Sequence, residues 1–318
     1  MAPLTHTKRM DLTGMAKGKI IIDCDPGVDD AIALLLAFAS PGEIEVVGIT
    51  TVIGNVSLPL TTRNALRITA MASRQDIPVY AGCSRPIILP RVQRGASVHG
   101  TDGLGDLGMP DATHEAESRH AVDFIIDAIL REPGEITLCP IGPMTNIALA
   151  LIKEPSIATK IKAIVFMGGA AFSPGNTATD AEFNIWIDPH AAQVVLSSGI
   201  PMTMFGLDVT RHATLTKARF DQLERDASPI MQTAIAMMRR YGSGDPALHD
   251  PCVTAFLIDP TLFKGVDAVI EVDCDQAGAY GRTRAVENGV GNGKPIHVIT
   301  EVDDERLFQL IDQRLRLL

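Results

Sequence analysis

Short β-branched or apolar runs alternate along this chain with longer segments whose apolar positions recur at helical spacing. Ile20-Ile21-Ile22 is the first such run. It ends at Asp23, a Pro26-Gly27 turn follows, and the segment from Asp30 to Ala39 is apolar over most of its length. That order predicts strand, loop and helix. Pro41-Gly42 stops the helix, and Ile44 to Thr51 reads as a second strand, with Val46, Val47 and Ile49 suited to a sheet buried on both faces. Val122, Ile125, Ile126, Ile129 and Leu130 mark a helix ended by Pro133-Gly134, ahead of a strand from Ile136 to Cys139. Asn146 to Lys153 predicts a helix and Ile161 to Met167 a strand closing on Gly168-Gly169. Pro189 to Ser198 then predicts a helix stopped by Gly199, and Met202 to Phe205 a strand.

This alternation predicts an α/β fold with an open, mainly parallel (mixed) central sheet and helices on both faces. The arrangement is Rossmann-like, with ligands bound outside the carboxyl ends of the strands. The stretch from Thr214 to Arg240 differs: Ile230, Met231, Ala234, Ile235, Met237 and Met238 form a helical stripe with no strand nearby, which predicts a helical cap near the site. The Met stripe reads as core packing. No repeat, low-complexity tract or Pro/Gly/Ser-rich linker divides the chain, so residues 19–318 are expected to form a single domain. Residues 1–18 hold Lys8, Arg9 and Lys17 without an apolar run of signal-peptide length, and read as a disordered extension.

Composition narrows the ligand. With 28 Lys and Arg against 38 Asp and Glu, the formal charge of -10 gives no general attraction to nucleic acid or to an anionic membrane. A small or metal-bridged ligand is expected instead. The five cysteines, Cys24, Cys83, Cys139, Cys252 and Cys274, are scattered and show no zinc or redox spacing, so reduced thiols in a cytoplasmic protein are the simplest reading. No stretch reaches the roughly 18 uninterrupted apolar residues of a membrane helix.

The candidate chemistry lies in Asp23-Cys24-Asp25-Pro26-Gly27-Val28-Asp29-Asp30. Four acids fall within eight residues, with no Lys or Arg among them. Helix capping would account for Asp29 and Asp30, where the helix dipole favours negative charge, but not for all of these acids. A hard divalent cation would offset the repulsion, and carboxylate oxygens are the ligands that Ca²⁺ or Mg²⁺ prefers.

The segment Asp23 to Ala31 resembles the N-terminal signature of the inosine-uridine preferring nucleoside hydrolase family. Further blocks resemble it in the same order: Val52-Ile53-Gly54-Asn55, Val98-His99-Gly100, Gly142-Pro143-Met144-Thr145-Asn146-Ile147-Ala148, Met167-Gly168-Gly169, Ala181-Glu182-Phe183-Asn184 and His249-Asp250-Pro251. The resemblance runs from about Ile20 to the C-terminus.

It implies hydrolysis of ribonucleosides to base and ribose, with Ca²⁺ held by Asp25, Asp30, Asp250 and the main-chain carbonyl of Ile141. Relatives often carry Thr or Val at the last position, a tolerable difference where the ligand is a backbone oxygen. Asp25 would also serve as general base, and direct attack by water predicts inversion. Asp29 and Asn55 would grip the 2′-hydroxyl side, Asn176, Glu182 and Asn184 the 5′ and 3′ side, and Met167 would pack beneath the ribose. His249 is assigned to departure of the base, and His99 is placed nearby with an open role. The resemblance further implies a homodimer or homotetramer.

Trp186, the only tryptophan, reads as core, whereas Tyr241 is left open as a contact to the base. Two rival readings stand beside the hydrolase. Asp23-Cys24-Asp25 after a first strand also resembles haloacid-dehalogenase-like phosphatases, although their later Lys and acidic pair have no clear counterpart. A non-catalytic nucleoside or ribose binder would be free to lose Asp25 and His249, yet both are present. Base preference stays open between purine, pyrimidine and mixed.

Overall fold

The computed structural model describes residues 17–88, 98–177, 180–275, 278–286 and 293–318. Most of the expected N-terminal extension, residues 1–16, lies outside the described residues. The first strand opens at Gly18, within the expected extension, because its N–H donates to the Glu43 carbonyl at 2.8 Å and Gly18 pairs with Ile44.

Nine strands form one sheet among the described residues: β1 (Gly18–Cys24), β2 (Ile44–Thr51), β3 (Val79–Ala81), β4 (Ile136–Pro140), β5 (Ala163–Met167), β6 (Met202–Phe205), β7 (Phe263–Val272), β8 (Thr283–Val286) and β9 (Ile296–Val302). Their order is β3-β2-β1-β4-β5-β6-β9-β7-β8. Pairings from β3 across to β9 are parallel, while β7 runs antiparallel to both β9 and β8. The mainly parallel, mixed sheet agrees with the expectation from sequence.

The helices are α1 (Val28–Phe38), α2 (Leu58–Met71), α3 (Ala121–Arg131), α4 (Thr145–Lys153), α5 (Phe183–Ile187), α6 (Pro189–Leu196), α7 (Leu207–Thr210), α8 (Lys217–Leu223), α9 (Pro229–Tyr241), α10 (Pro251–Ile258) and α11 (Asp304–Leu315). Side chains of β1 sort them into two layers. Ile20, Ile22 and Cys24 point into a core shared with α1, α2, α9, α10 and α11, whereas Ile21 points into one shared with α3, α4 and α6. A strand covered on both faces cannot alternate apolar with polar, which is why its sequence reads as a continuous run.

Helix α1 is buried on every side, including Leu34, Leu35 and Leu36 at 0% exposure. A helix apolar all round needs packing all round, and each such leucine stabilises the fold by about 1.5–3 kcal/mol. The Met stripe of α9 contributes Met231, Met237 and Met238 to the same core, as its periodicity predicted. Trp186 departs from expectation: it is half-buried and lies 6.3 Å, ring to ring, from Phe183. Its helix α5 has only five residues, too few to carry a full apolar stripe inward.

Strand order decides where a ligand can sit. From β1 the chain moves outward to β2 and β3, then returns to lay β4 on the opposite side of β1. The connections leaving β1 and β4 therefore diverge, and a crevice opens at the carboxyl ends of these two strands.

Candidate active site

Asp25 follows the last residue of β1, and Ile141 follows the last residue of β4, so both stand at the mouth of that crevice. Helix α1 starts three residues after Asp25 and places Asp29 and Asp30 in its first turn. The partial positive charge of a helix N-terminus favours acids there. Asp250 comes from the N-terminus of α10, which packs on α1 through the Thr254 hydroxyl and the Ala33 carbonyl at 3.2 Å. The distance in sequence between the acids is closed by helix packing.

Asp29, Asp30 and Asp250 each bring a carboxylate oxygen to within 4.8 Å of the others, and all are buried. Asp25 lies against them, with its backbone N–H donating to Asp30 Oδ1 at 3.2 Å. Asn55 ties the group together: its N–H donates to Asp25 Oδ2 at 2.6 Å, and its Nδ2 donates to the Asp25 carbonyl at 3.3 Å and to Asp30 Oδ2 at 3.2 Å. Asp25 Oδ1 is buried without a hydrogen-bond partner.

Burial and mutual repulsion dominate the electrostatics. Burial, followed by the neighbouring Asp30 charge, holds the Asp25 carboxyl well above its ordinary range; burial and the Asp29 charge raise Asp250 likewise and push Asp30 up to about 7. No described Lys or Arg pairs with these acids. Such a group is strained without an added cation, and the unpartnered Oδ1 of Asp25 is the oxygen a cation or a water would use. The donor set, all oxygen and mostly carboxylate, fits a hard divalent metal.

Two glycines make room for Asp25. A Cβ on Gly54 would lie 2.0 Å from Asp25 Oδ2, and one on Gly142 would lie 2.3 Å from Oδ1. Only hydrogen fits at either place.

Above the acids is a cavity of about 340 Å³. It is lined by Asp29, Asn55 and Asp250 toward the acids, by Ile141 and Met167 from the strand ends, and by Asn176, Glu182 and Asn184 on one wall. His99, Tyr241 and His249 also line it, with Tyr241 and His99 lying against Asp29. Every site residue expected from sequence borders this cavity except Asp25 and Asp30, which lie beneath it at 1% and 0% exposure.

Local hydrogen bonds fix the walls. Glu182 caps α5, accepting from Asn184 N at 2.9 Å through Oε1 and from Gly169 N at 2.8 Å through Oε2. Asn184 Nδ2 donates to the Ile141 carbonyl at 2.9 Å and contacts Met167 Sδ at 3.3 Å. Asn176 donates its N–H to the Ala181 carbonyl, and Arg211 holds the same loop through the Pro174 and Gly175 carbonyls.

The two histidines are set differently. His99 Nδ1 accepts from Val28 N at 3.0 Å, and burial lowers its pKa against the opposing Asp29 charge, which describes a neutral ring. His249 is bracketed: Nδ1 pairs with Thr210 Oγ1 at 2.7 Å and Nε2 with Asp245 Oδ2 at 3.1 Å. Burial disfavours charge on His249, but the hydrogen bond and charge of Asp245 outweigh it and raise the pKa. Tyr241 donates to Asp29 Oδ2 at 3.4 Å, and its ring lies 5.2 Å from that of His99.

Asp245 and Thr210 went unnoticed in the sequence. Asp245 stands four residues before His249, yet in a loop, where that spacing carries no facing relation; nothing local marks Thr210. Asp23 ends beneath the site, accepting at Oδ1 from Thr50 Oγ1 and Asn146 Nδ2 at 2.5 and 2.7 Å, and burial pushes it up to about 7.

Residues 20–309 match the family model described as inosine-uridine preferring nucleoside hydrolase. A pyrimidine-specific ribonucleoside hydrolase, RihB, of Escherichia coli O157:H7 is 39% identical over 312 residues, covering 95% of this chain and 98% of that protein. Among solved structures, a purine-preferring ribonucleoside hydrolase from Gardnerella vaginalis superposes with a TM-score of 0.87 at 36% identity, covering 94% of this chain and 98% of that one. A plant nucleoside hydrolase superposes with a TM-score of 0.88 at 32% identity, covering 95% and 99%.

Proposed function

Because the chain belongs to the inosine-uridine preferring nucleoside hydrolase family, and is thus a ribonucleoside hydrolase, we propose that Asp25 and His249 divide its reaction between them. Asp25 is the general base on water and His249 assists departure of the base. The observation that carries this reading is their placement: an unpartnered Asp25 oxygen buried beneath the cavity, and a doubly anchored imidazole on its border.

Asp25, Asp30, Asp250 and the Ile141 carbonyl would hold a divalent cation, Ca²⁺ in this proposal, which when bound would lower the pKa of water. Asp29 belongs to the same cluster and faces the cavity, so it serves the 2′-hydroxyl together with Asn55. Asn176, Glu182 and Asn184 take the 5′ and 3′ side of the sugar, over Met167.

Asp25 Oδ1 removes a proton as water attacks the anomeric carbon from the face opposite the base, which inverts that centre. Positive character builds on the sugar while the N-glycosidic bond breaks, and the buried carboxylates below it stabilise that charge. The bonding electrons leave with the base. His249 supplies the proton that keeps the base from departing as an anion.

Incubating the protein with inosine, uridine and cytidine and assaying free ribose tests the reading; no ribose from any nucleoside would sink it. Binding without ribose would point to the silent binder, and phosphate release from phosphomonoesters to the phosphatase. The same panel decides base preference, since relatives of similar identity carry pyrimidine-specific and purine-preferring names. The protein is further proposed to act as a homodimer or homotetramer in the cytoplasm, a setting supported by five free cysteines. No described helix is long and apolar enough to cross a membrane.

A further inference from the structure

We propose that Asp245 is the positioning residue for His249, holding the ring at the cavity border by accepting from its Nε2–H, and that Thr210 locks the opposite edge. The inference rests on the reading of His249 as the group that assists departure of the base.

Both contacts are directional. An ionised carboxylate only accepts, so the Asp245 Oδ2 contact at 3.1 Å places a hydrogen on His249 Nε2. Burial works against ionisation of Asp245, but the His249 contact and the Ala247 N–H keep its pKa below the ordinary value. Thr210 Oγ1, 2.7 Å from Nδ1, can donate to a neutral ring or accept from a charged one. The imidazole is thus held at both nitrogens, which leaves its rotation about χ2 no freedom.

The two anchors are themselves fixed to each other. Asp245 Oδ1 accepts from Ala247 N at 3.0 Å, so both oxygens of the carboxylate are engaged. Leu215 N donates to the Pro246 carbonyl at 2.6 Å and Leu248 N to the Ala213 carbonyl at 2.9 Å. These bonds bolt the loop that carries Asp245 to the segment just after Thr210. Asp245 also borders the cavity, and its side chain is 31% exposed against 7% for His249. It can therefore yield Nε2–H to an entering base without leaving a buried charge unpaired.

A residue that acts through a leaving-group donor is needed only where the leaving group needs a proton. Asp245→Ala should lower kcat for nucleosides by about 10- to 100-fold with little change in KM, the scale of a misplaced catalytic group. The same variant should lose less than about threefold on p-nitrophenyl β-ribofuranoside, whose leaving group departs as an anion. Asp245→Asn, whose single amide oxygen can accept from the His249 Nε2–H or from the Ala247 N–H but not from both as the carboxylate does, should recover part of the nucleoside rate, and Thr210→Val should show the same selectivity with a smaller loss. The double variant Asp245→Ala/His249→Ala should be no slower on nucleosides than His249→Ala alone.

Equal losses on both substrates, or a further drop in the double variant, would overturn the inference while leaving His249 in its role. If His249→Ala itself lost nucleosides and the activated riboside equally, the underlying reading and the inference would fall together. A protein unfolded by Asp245→Ala leaves Asp245→Asn and Thr210→Val to decide, and absence of selectivity in both would refute the proposal.

Discussion

Substituting Gly54 by alanine would test whether the position of one carboxylate sets the rate. An added Cβ would stand 2.0 Å from Asp25 Oδ2 and 2.6 Å from its Cγ. Non-bonded carbon and oxygen do not approach closer than about 3 Å, so the carboxyl must shift by about 1 Å or the loop must yield. Either movement strains the bond from Asn55 N, 2.6 Å from the same oxygen. A misplacement of about 1 Å costs on the order of 100-fold in rate, which at 1.36 kcal/mol per tenfold is about 2.7 kcal/mol of barrier. Overpacking a buried site costs about 1–3 kcal/mol of stability, small enough for the protein to remain folded. Ribose release at saturating nucleoside gives kcat, and a urea melt reports the fold. Gly42→Ala is the control, because a Cβ there meets nothing within 4 Å. A Gly54→Ala variant with the kcat of the Gly42→Ala control would refute the idea that Asp25 must stay where it is.

Asp25→Asn should lower turnover by more than about 1000-fold, while in chelator-treated protein the urea midpoint stays level or rises, since a neutral side chain relieves buried repulsion; wild-type turnover would exclude Asp25 as the base. Dialysis against a chelator should abolish ribose release and lower the melting temperature, with Ca²⁺ restoring both, because a ligand bound only to the folded state stabilises it by mass action. Undiminished activity in the treated protein would count against the metal. Leu35→Ala, at a side chain with 0% exposure, should destabilise by about 2–5 kcal/mol in denaturant unfolding. A loss under about 1 kcal/mol would mean that α1 is less tightly packed than described.

Much of this protein is legible along the chain. The bounds of β2 and β6 coincide with the expected Ile44 to Thr51 and Met202 to Phe205, and α4 differs from expectation by one residue at its start. These elements are bounded by Pro, Gly or acid turns, and their apolar runs are set by burial on two faces, which local composition records. The acidic stretch after β1 is legible for the same reason: charge repulsion among near neighbours is a local property. The helices α2, α5, α7 and α8 gave no comparable signal, being short or polar, and β7 to β9 form the sheet edge where one face is only partly covered.

What the chain order could not decide is which distant residues share the crevice. Asp250 joins Asp29 and Asp30 because α10 packs on α1, and the crevice exists because β4 returns beside β1. His249 could be singled out from its place beside Asp250, but its partners could not. Thr210 and Asp245 meet it through backbone bonds between two loops, and such pairings depend on long-range geometry that no local spacing encodes. Sequence thus determined the elements and the chemistry of the first loop, because those follow from periodicity and charge; the tertiary structure alone determined how that loop is completed, because packing brings distant segments together.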